Sequence, residues 1–196
     1  DMSSITSTTS VGSNTFSGCT ALVSIELPPI SKMSQNMFSG CTSLATVDLS
    51  RATGLTEIGK FAFSGCTALK TIISSGVNQE GAVIIPHGVT SIGQEAFYNC
   101  RILTNINFGQ GLVSIGNNAF AGCTSVARVV LPAALETIGA SAFSGCGGEL
   151  AINANIANNI LFCFIGLLMQ SNTLLVSTCD TRKLFDKNYE IFASKS

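Results

Sequence analysis

The heptapeptide FSGCTAL occupies residues 16–22 and returns unchanged at residues 63–69. A third version, FSGCTSL, fills residues 38–44, and looser ones begin at Phe97 (FYNCRIL), Phe120 (FAGCTSV) and Phe143 (FSGCGGE). Aligned on Phe-x-x-Cys, the copies set Phe16/Cys19, Phe38/Cys41, Phe63/Cys66, Phe97/Cys100, Phe120/Cys123 and Phe143/Cys146 in equivalent positions. Successive phenylalanines are 22, 25, 34, 23 and 23 residues apart. A unit of 22–23 residues, lengthened once by three and once by about eleven, has the period of a solenoid whose coils stack along one axis.

Apolar positions inside the unit are equally regular. Three residues beyond each Cys stands Leu22, Leu44, Leu69, Leu103 or Val126, and three further stands Ile25, Val47, Ile72, Ile106 or Val129. Two further again come Leu27, Leu49, Phe108 and Leu131, a spacing that suits a strand with one buried face. Each unit is therefore expected to donate one short strand to a parallel sheet, with neighbours ~4.8 Å apart. Upstream, S-I-G-x-x-A-F runs over residues 91–97 and 114–120, and begins with Thr over 137–143. Gly93, Gly116 and Gly139 read as a backbone corner that other residues would strain, and the residues after them as a helical or 3₁₀ turn. A coil this short has no interior of its own, so each Phe, Ile and Leu must be covered by the same residue in the coils above and below.

The step of 34 residues contains S-S-G-V-N-Q-E-G-A, Ser74 to Ala82, before Val83-Ile84-Ile85-Pro86 restarts the strand pattern. It reads as a coil lacking its turn, with a loop projecting over about residues 74–83. After Asn153 the pattern fails, which divides the chain into a solenoid at 1–153 and an atypical segment at 154–196, a cap, an anchor or an unrelated tail.

Charged side chains make up 11% of the 196 residues, against about 25% in a typical soluble domain, so Ser, Thr, Asn and Gly must solubilise the chain. Ten basic and eleven acidic residues leave a net charge of −1, which provides no field to draw in nucleic acid. DMSSITSTTS lacks the basic start and apolar run of a secretory signal, so export is not read from this end. The longest apolar run, Ile160 to Met169, is about half a bilayer span, and extending it to Val176 buries four polar side chains. This 160–176 segment is the one place offered for membrane contact, and a buried terminal element or tail is its plainer reading.

Blocks such as GVTSIGQEAFYNCRILTNINF and GLVSIGNNAFAGCTSVARVVLP resemble the leucine-rich repeats of the BspA-like surface proteins over about residues 11–153. That resemblance implies a leucine-rich repeat α/β solenoid of about six coils, right-handed and curved. Its parallel sheet would line the concave face, with short helical or 3₁₀ turns opposite. It also implies a cell-surface or secreted location, adhesion to host or microbial protein, and no catalysis. One departure is plain. Where the common leucine-rich repeat carries Asn, this chain has Ile30, Val89, Leu112 or Leu135, so the corner must close by apolar packing.

Six of the eight cysteines hold one repeat position, where stacked thiols with parallel vectors read as a buried, unbonded column. Cys163 and Cys179 lie outside it and either pair or stay free. There is no Cys-x-x-Cys and the one histidine is His87, so neither a metal nor another cofactor is expected. His87 stands at a strand-to-turn junction, where a turn residue is the plainer reading than a catalytic base. Gly109-Gln110-Gly111-Leu112 is a turn between coils, since no Lys-Ser/Thr follows it.

What remains is surface. Strand positions alternating with the buried ones point outward: Ser24, Glu26, Thr46, Asp48, Asn105, Asn107, Arg128 and Val130. The polar members form the expected recognition strip, and its ligand is a protein or glycan. The competing readings are a structural spacer inside a longer surface protein and, last, a hydrolase using His87 or an activated Cys.

Overall fold

The structure, a computed structural model, describes residues 10–74, 82–147, 149–151 and 174–175. Its strands, in chain order, are β1 (Ser24–Glu26), β2 (Lys32–Met33), β3 (Thr46–Asp48), β4 (Glu57–Ile58), β5 (Thr71–Ile73), β6 (Ala82–Ile84), β7 (Ser91–Ile92), β8 (Asn105–Asn107), β9 (Ser114–Ile115), β10 (Arg128–Val130), β11 (Thr137–Ile138), β12 (Glu149–Ala151) and β13 (Leu174–Leu175). The repeat isoleucine or valine sits at the centre of each three-residue strand from β1 to β10 except β6. These strands join β6, β12 and β13 in one eight-stranded parallel sheet, ordered β1-β3-β5-β6-β8-β10-β12-β13. Ile25, Val47, Ile72, Val83, Ile106 and Val129 form one inward row in register across it.

A second parallel sheet of five two-residue strands, β2-β4-β7-β9-β11, closes the opposite wall. It carries Met33, Ile58, Ile92, Ile115 and Ile138 inward, all buried. Between the sheets, Ile30, Leu55, Val89, Leu112 and Leu135 are buried one above another at the corner where the common repeat has Asn. The apolar corner expected from the sequence is there.

The helical or 3₁₀ turns expected opposite the large sheet are not. No helix occurs among the described residues. The reason lies in the backbone: left-handed residues stand two before and two after each Phe. Asn36 (φ 55°) and Gly40 (φ 74°) bracket Phe38, and Glu95 (φ 54°) and Asn99 (φ 59°) bracket Phe97. A helix needs consecutive right-handed residues. The chain instead makes successive i to i+3 turns, such as Ser39 N–H to Asn36 O and Cys41 N–H to Phe38 O, while alternate N–H groups reach the next coil. Phe38 N–H donates to Ala62 O at 2.8 Å, Phe63 to Ala96 at 2.7 Å and Phe97 to Ala119 at 2.7 Å. This ladder satisfies the backbone polar groups that a helix would have satisfied internally.

The core is one continuous column between the walls. Phe16, Phe38, Phe63, Phe97, Phe120 and Phe143 stack ring on ring, with centroids 4.9–5.5 Å apart. The six rings mark out about five turns of solenoid, one fewer than the count of motifs suggests.

The long step resolves into an extra strand. Ile72 of β5 pairs with Val83 of β6, and Val83 with Ile106 of β8, while in the second sheet β4 pairs directly with β7. The large sheet therefore gains a strand that its counterpart lacks. One surplus strand of ~4.8 Å across a layer about 10 Å thick opens a wedge of roughly 25°. The rings respond: Phe63 and Phe97 are inclined at 23°, whereas the other stacked pairs lie within 2–8° of parallel. Removing residues 72–82 would set Val83 in the place of Ile72 and reduce the Phe63-to-Phe97 step from 34 to 23 residues. That deletion is expected to fold and to straighten the rod by roughly 25°, read as Phe63 and Phe97 rings brought close to parallel in a crystal structure of the variant. An inclination that stayed at 23° would show that β6 makes no wedge.

The rest of the insertion, residues 75–81, and nearly all of 154–196, including the 160–176 run, Cys163 and Cys179, lie outside the described residues.

Candidate functional site

Because strand residues alternate in direction, two rows flank the inward one on the large sheet. The first runs Ser24, Thr46, Thr71, Ala82, Asn105, Arg128 and Glu149. The second contains Glu26, Asp48 and Ile73 on one side, Ile84 and Asn107 further on, and Val130 beside Ala151. The polar residues singled out from the sequence thus occupy two registered rows.

They do not form an unbroken strip. Ser24, Glu26, Asn105 and Asn107 are exposed and Thr46 and Asp48 half-buried, but Thr71, Ala82 and Ile84 in the middle are buried. The surplus strand falls at this point, and the face divides into an acidic patch on β1 and β3 and an amide patch on β8. Sequence alternation predicts which way a side chain points; it is silent on what else in the molecule covers it.

Within the acidic patch the two carboxylates differ. Glu26 Oε1 lies 3.5 Å from Arg51 Nη1 with half of its side chain in solvent, a pair of the kind that contributes about 0–1 kcal/mol. Asp48 Oδ1 accepts the Ser50 N–H at 2.8 Å, closing an Asx turn. Asp48 is therefore a structural cap for the lengthened corner that carries Arg51, whereas Glu26 holds no turn and keeps half of its side chain in solvent beside Arg51. Sequence reading missed Arg51. The signal that could have found it is the three-residue lengthening of the second coil, which falls between Leu49 and Leu55.

The thiol column is present and unbonded over Cys19, Cys41, Cys66, Cys100, Cys123 and Cys146. From Cys41 onward each thiol donates to the carbonyl of the phenylalanine one coil back: Cys41 to Phe16 O at 2.9 Å, Cys66 to Phe38 O at 3.1 Å, Cys100 to Phe63 O at 3.3 Å, Cys123 to Phe97 O at 3.2 Å and Cys146 to Phe120 O at 3.4 Å. Burial pushes the Cys66 and Cys146 thiols up to about 12, and raises Cys41, Cys100 and Cys123 as well. Cys19, in the first of these six positions, is exposed. Iodoacetamide at neutral pH is expected to modify Cys19 in the folded protein and the buried four only on unfolding, as read by peptide mass spectrometry. An unfolded thiol ionises near 8.5. The stability contributed by the buried thiols is thus whole below that pH, and it is lost as pH climbs towards about 12.

His87 is an exposed turn residue. Among the described residues, no group of three or more His, Cys, Asp or Glu could hold a metal ion, and no helix is long and apolar enough to cross a membrane.

The family model for the BspA type leucine-rich repeat region matches the chain in six copies over residues 2–82 and 81–167. Among solved structures, a leucine-rich repeat protein of T. pallidum is similar at 27% identity and a TM-score of 0.56, over 71% of this chain and 67% of that one. A leucine-rich repeat protein of Bacteroides ovatus is similar at 22% identity and 0.49, over 76% and 53%. The pneumococcal vaccine antigen PcpA is similar at 18% and 0.50, over 69% and 41%. The chain thus spans from about two thirds to less than half of these proteins. No curated protein matches it.

Proposed function

The chain belongs to the BspA-type leucine-rich repeat family, and from that premise we propose that it is a non-enzymatic binding module, displayed at the cell surface or secreted, that adheres to a protein or glycan through the outward face of its large sheet. One observation carries this reading: an invariantly apolar inward row supports two outward rows whose residues change from strand to strand. Successive coils of a solenoid present side chains in a broad array, the arrangement that repeat proteins use for recognition. Two facts favour binding over catalysis. The sole imidazole stands alone in a turn, and burial keeps the thiols of Cys41, Cys66, Cys100, Cys123 and Cys146 in the unreactive protonated form. Surface display is supported by the similar pneumococcal protein, named as a vaccine antigen.

The test is a binding screen of the folded protein against matrix proteins and mucosal glycans, followed by two variants. Glu26→Lys and the pair Asn105→Ala/Asn107→Ala alter exposed side chains only, and one of them is expected to weaken the ligand found by tenfold or more. Asp48 is unsuitable because its carboxylate holds a turn. A spacer is the second reading, favoured by the burial of Thr71, Ala82 and Ile84 in the middle of the face. It predicts no ligand, and no effect of either variant.

A further inference from the structure

The fourth turn breaks the pattern of the others on its surface alone. Coils one to three write FSGCTAL or FSGCTSL, whereas the fourth writes FYNCRIL. Its inward residues are kept: Phe97, Cys100 and Leu103 are buried, as their counterparts are in the second, third and fifth coils. Its outward ones are all enlarged, with Tyr98 for Ser, Asn99 for Gly, Arg101 for Thr and Ile102 for Ala or Ser.

The backbone does not change to accommodate them. Gly65 N–H donates to Tyr98 O at 2.8 Å, as Gly40 N–H does to Ser64 O, and Asn99 keeps the left-handed conformation of the glycines it replaces, φ 59° against 72–76°. The large side chains therefore stand at positions flanked in adjacent coils by Ser64 and Ala121, Thr67 and Thr124, Ala68 and Ser125. Tyr98 is 37% and Ile102 44% exposed, two of the four large apolar side chains that reach solvent among the described residues. Arg101 is exposed, and neither ion pair of the described residues involves it.

A solvated turn requires none of these residues, as its five counterparts show. Tyr and Arg are the types enriched where protein interfaces concentrate their affinity. We propose that Tyr98, Arg101 and Ile102 form a projecting knob that docks into a protein partner offering an apolar pocket with a carboxylate at its rim. The pocket takes the ring and the aliphatic chain, and the carboxylate pairs with a guanidinium that has no counter-ion in its own chain's described residues. A sugar fits less well, because an exposed isoleucine has nothing to match on a hydroxylated ring and the cluster carries no carboxylate. An anionic bilayer asks for several cations together, and the knob has one.

The knob's residues lie in the turn before β8, outside the strand residues Glu26, Asn105 and Asn107 that the outward-face variants alter, so it can fail without touching that reading and survive its failure. The decisive variant is Tyr98→Ser/Arg101→Thr/Ile102→Ala, which restores the third coil's residues on an unchanged backbone. The probes are a fluorescent peptide of Glu, Leu and Phe, its counterpart with Lys for Glu, phosphatidylserine/phosphatidylcholine vesicles, and a mucosal glycan array. Wild type is expected to bind the acidic peptide at least tenfold more tightly than the basic one, and the triple variant to lose at least tenfold. Arg101→Glu should reverse the preference between the peptides, which keeps the test open should the triple variant misfold. No binding of the acidic peptide, equal binding by the variants, or a loss of vesicle or glycan binding in the triple variant would each overturn the proposal.

Discussion

Phe120→Ala is expected to destabilise the solenoid by roughly 3–5 kcal/mol, the cost of emptying a fully packed aromatic site. Among the described residues, no other rung has as many ring neighbours. Phe120 is fully buried, stacks on Phe97 at 4.9 Å and Phe143 at 5.3 Å, and receives Phe108 edge-on at 5.7 Å. Each such contact contributes about 0.5–1.5 kcal/mol beyond burial. Coils touch only their neighbours, so the loss weakens both flanking interfaces and can uncouple the last coils from the first. Urea unfolding followed by circular dichroism should show a lower midpoint and a broadened or split transition. Phe16→Ala supplies the comparison: Phe16 is only partly buried and stacks on Phe38 alone, so its loss should be clearly smaller. Equal effects at the two positions would mean that the rings do not act as a shared column.

Gly116→Ala should cost at least the roughly 1–3 kcal/mol of an overpacked core, for one added methyl group. A Cβ there would lie 2.5 Å from Gln94 N and 2.7 Å from the carbonyl carbon of Gly93, both backbone atoms that cannot rotate away. Gly93 and Gly139 face the same obstruction from Lys60 N at 2.6 Å and Asn117 N at 2.3 Å. An ordinary contact is roughly 3.5–4.0 Å, so the coils would have to part, straining the Gly116 N–H to Ile92 O bond of 2.8 Å. Gly40→Asn is the control. Gly40 is left-handed, at φ 74°, and its surroundings are open, with the nearest atoms of Gly18 at 3.9 Å. Asn99 already occupies the equivalent place in the fourth coil. Asparagine there should cost less than about 1 kcal/mol. Thermal melts of the two variants would rank them, and the reverse order would refute the assignment of one glycine to packing and the other to backbone conformation.

That assignment marks the border between what the residues disclose and what they do not. The glycine of S-I-G was legible as indispensable, but for the wrong reason: its backbone is unstrained, and its missing Cβ makes room for the preceding coil. The left-handed residues were hidden, because Phe61, Glu95 and Ser141 share that conformation with asparagines and have little local preference for it. They hold it because their neighbours' carbonyls are one coil away, and for the same reason a helix fails to form where local pattern suggested one.

The sequence alone determined the period, the inward rows of Phe, Cys, Leu and Ile, the parallel strand in each unit and the family, since in a stack each residue's neighbour is its own repeat and periodicity is the contact map. It also held, unread, the departures of the fourth turn. Tertiary structure alone decided the second sheet, the tilt of Phe63 against Phe97 beside the extra strand, the division of the outward face, and the separation of Glu26 from the turn-bound Asp48. Those follow from distances between coils and from what covers a side chain, quantities that no alternation of apolar and polar residues encodes.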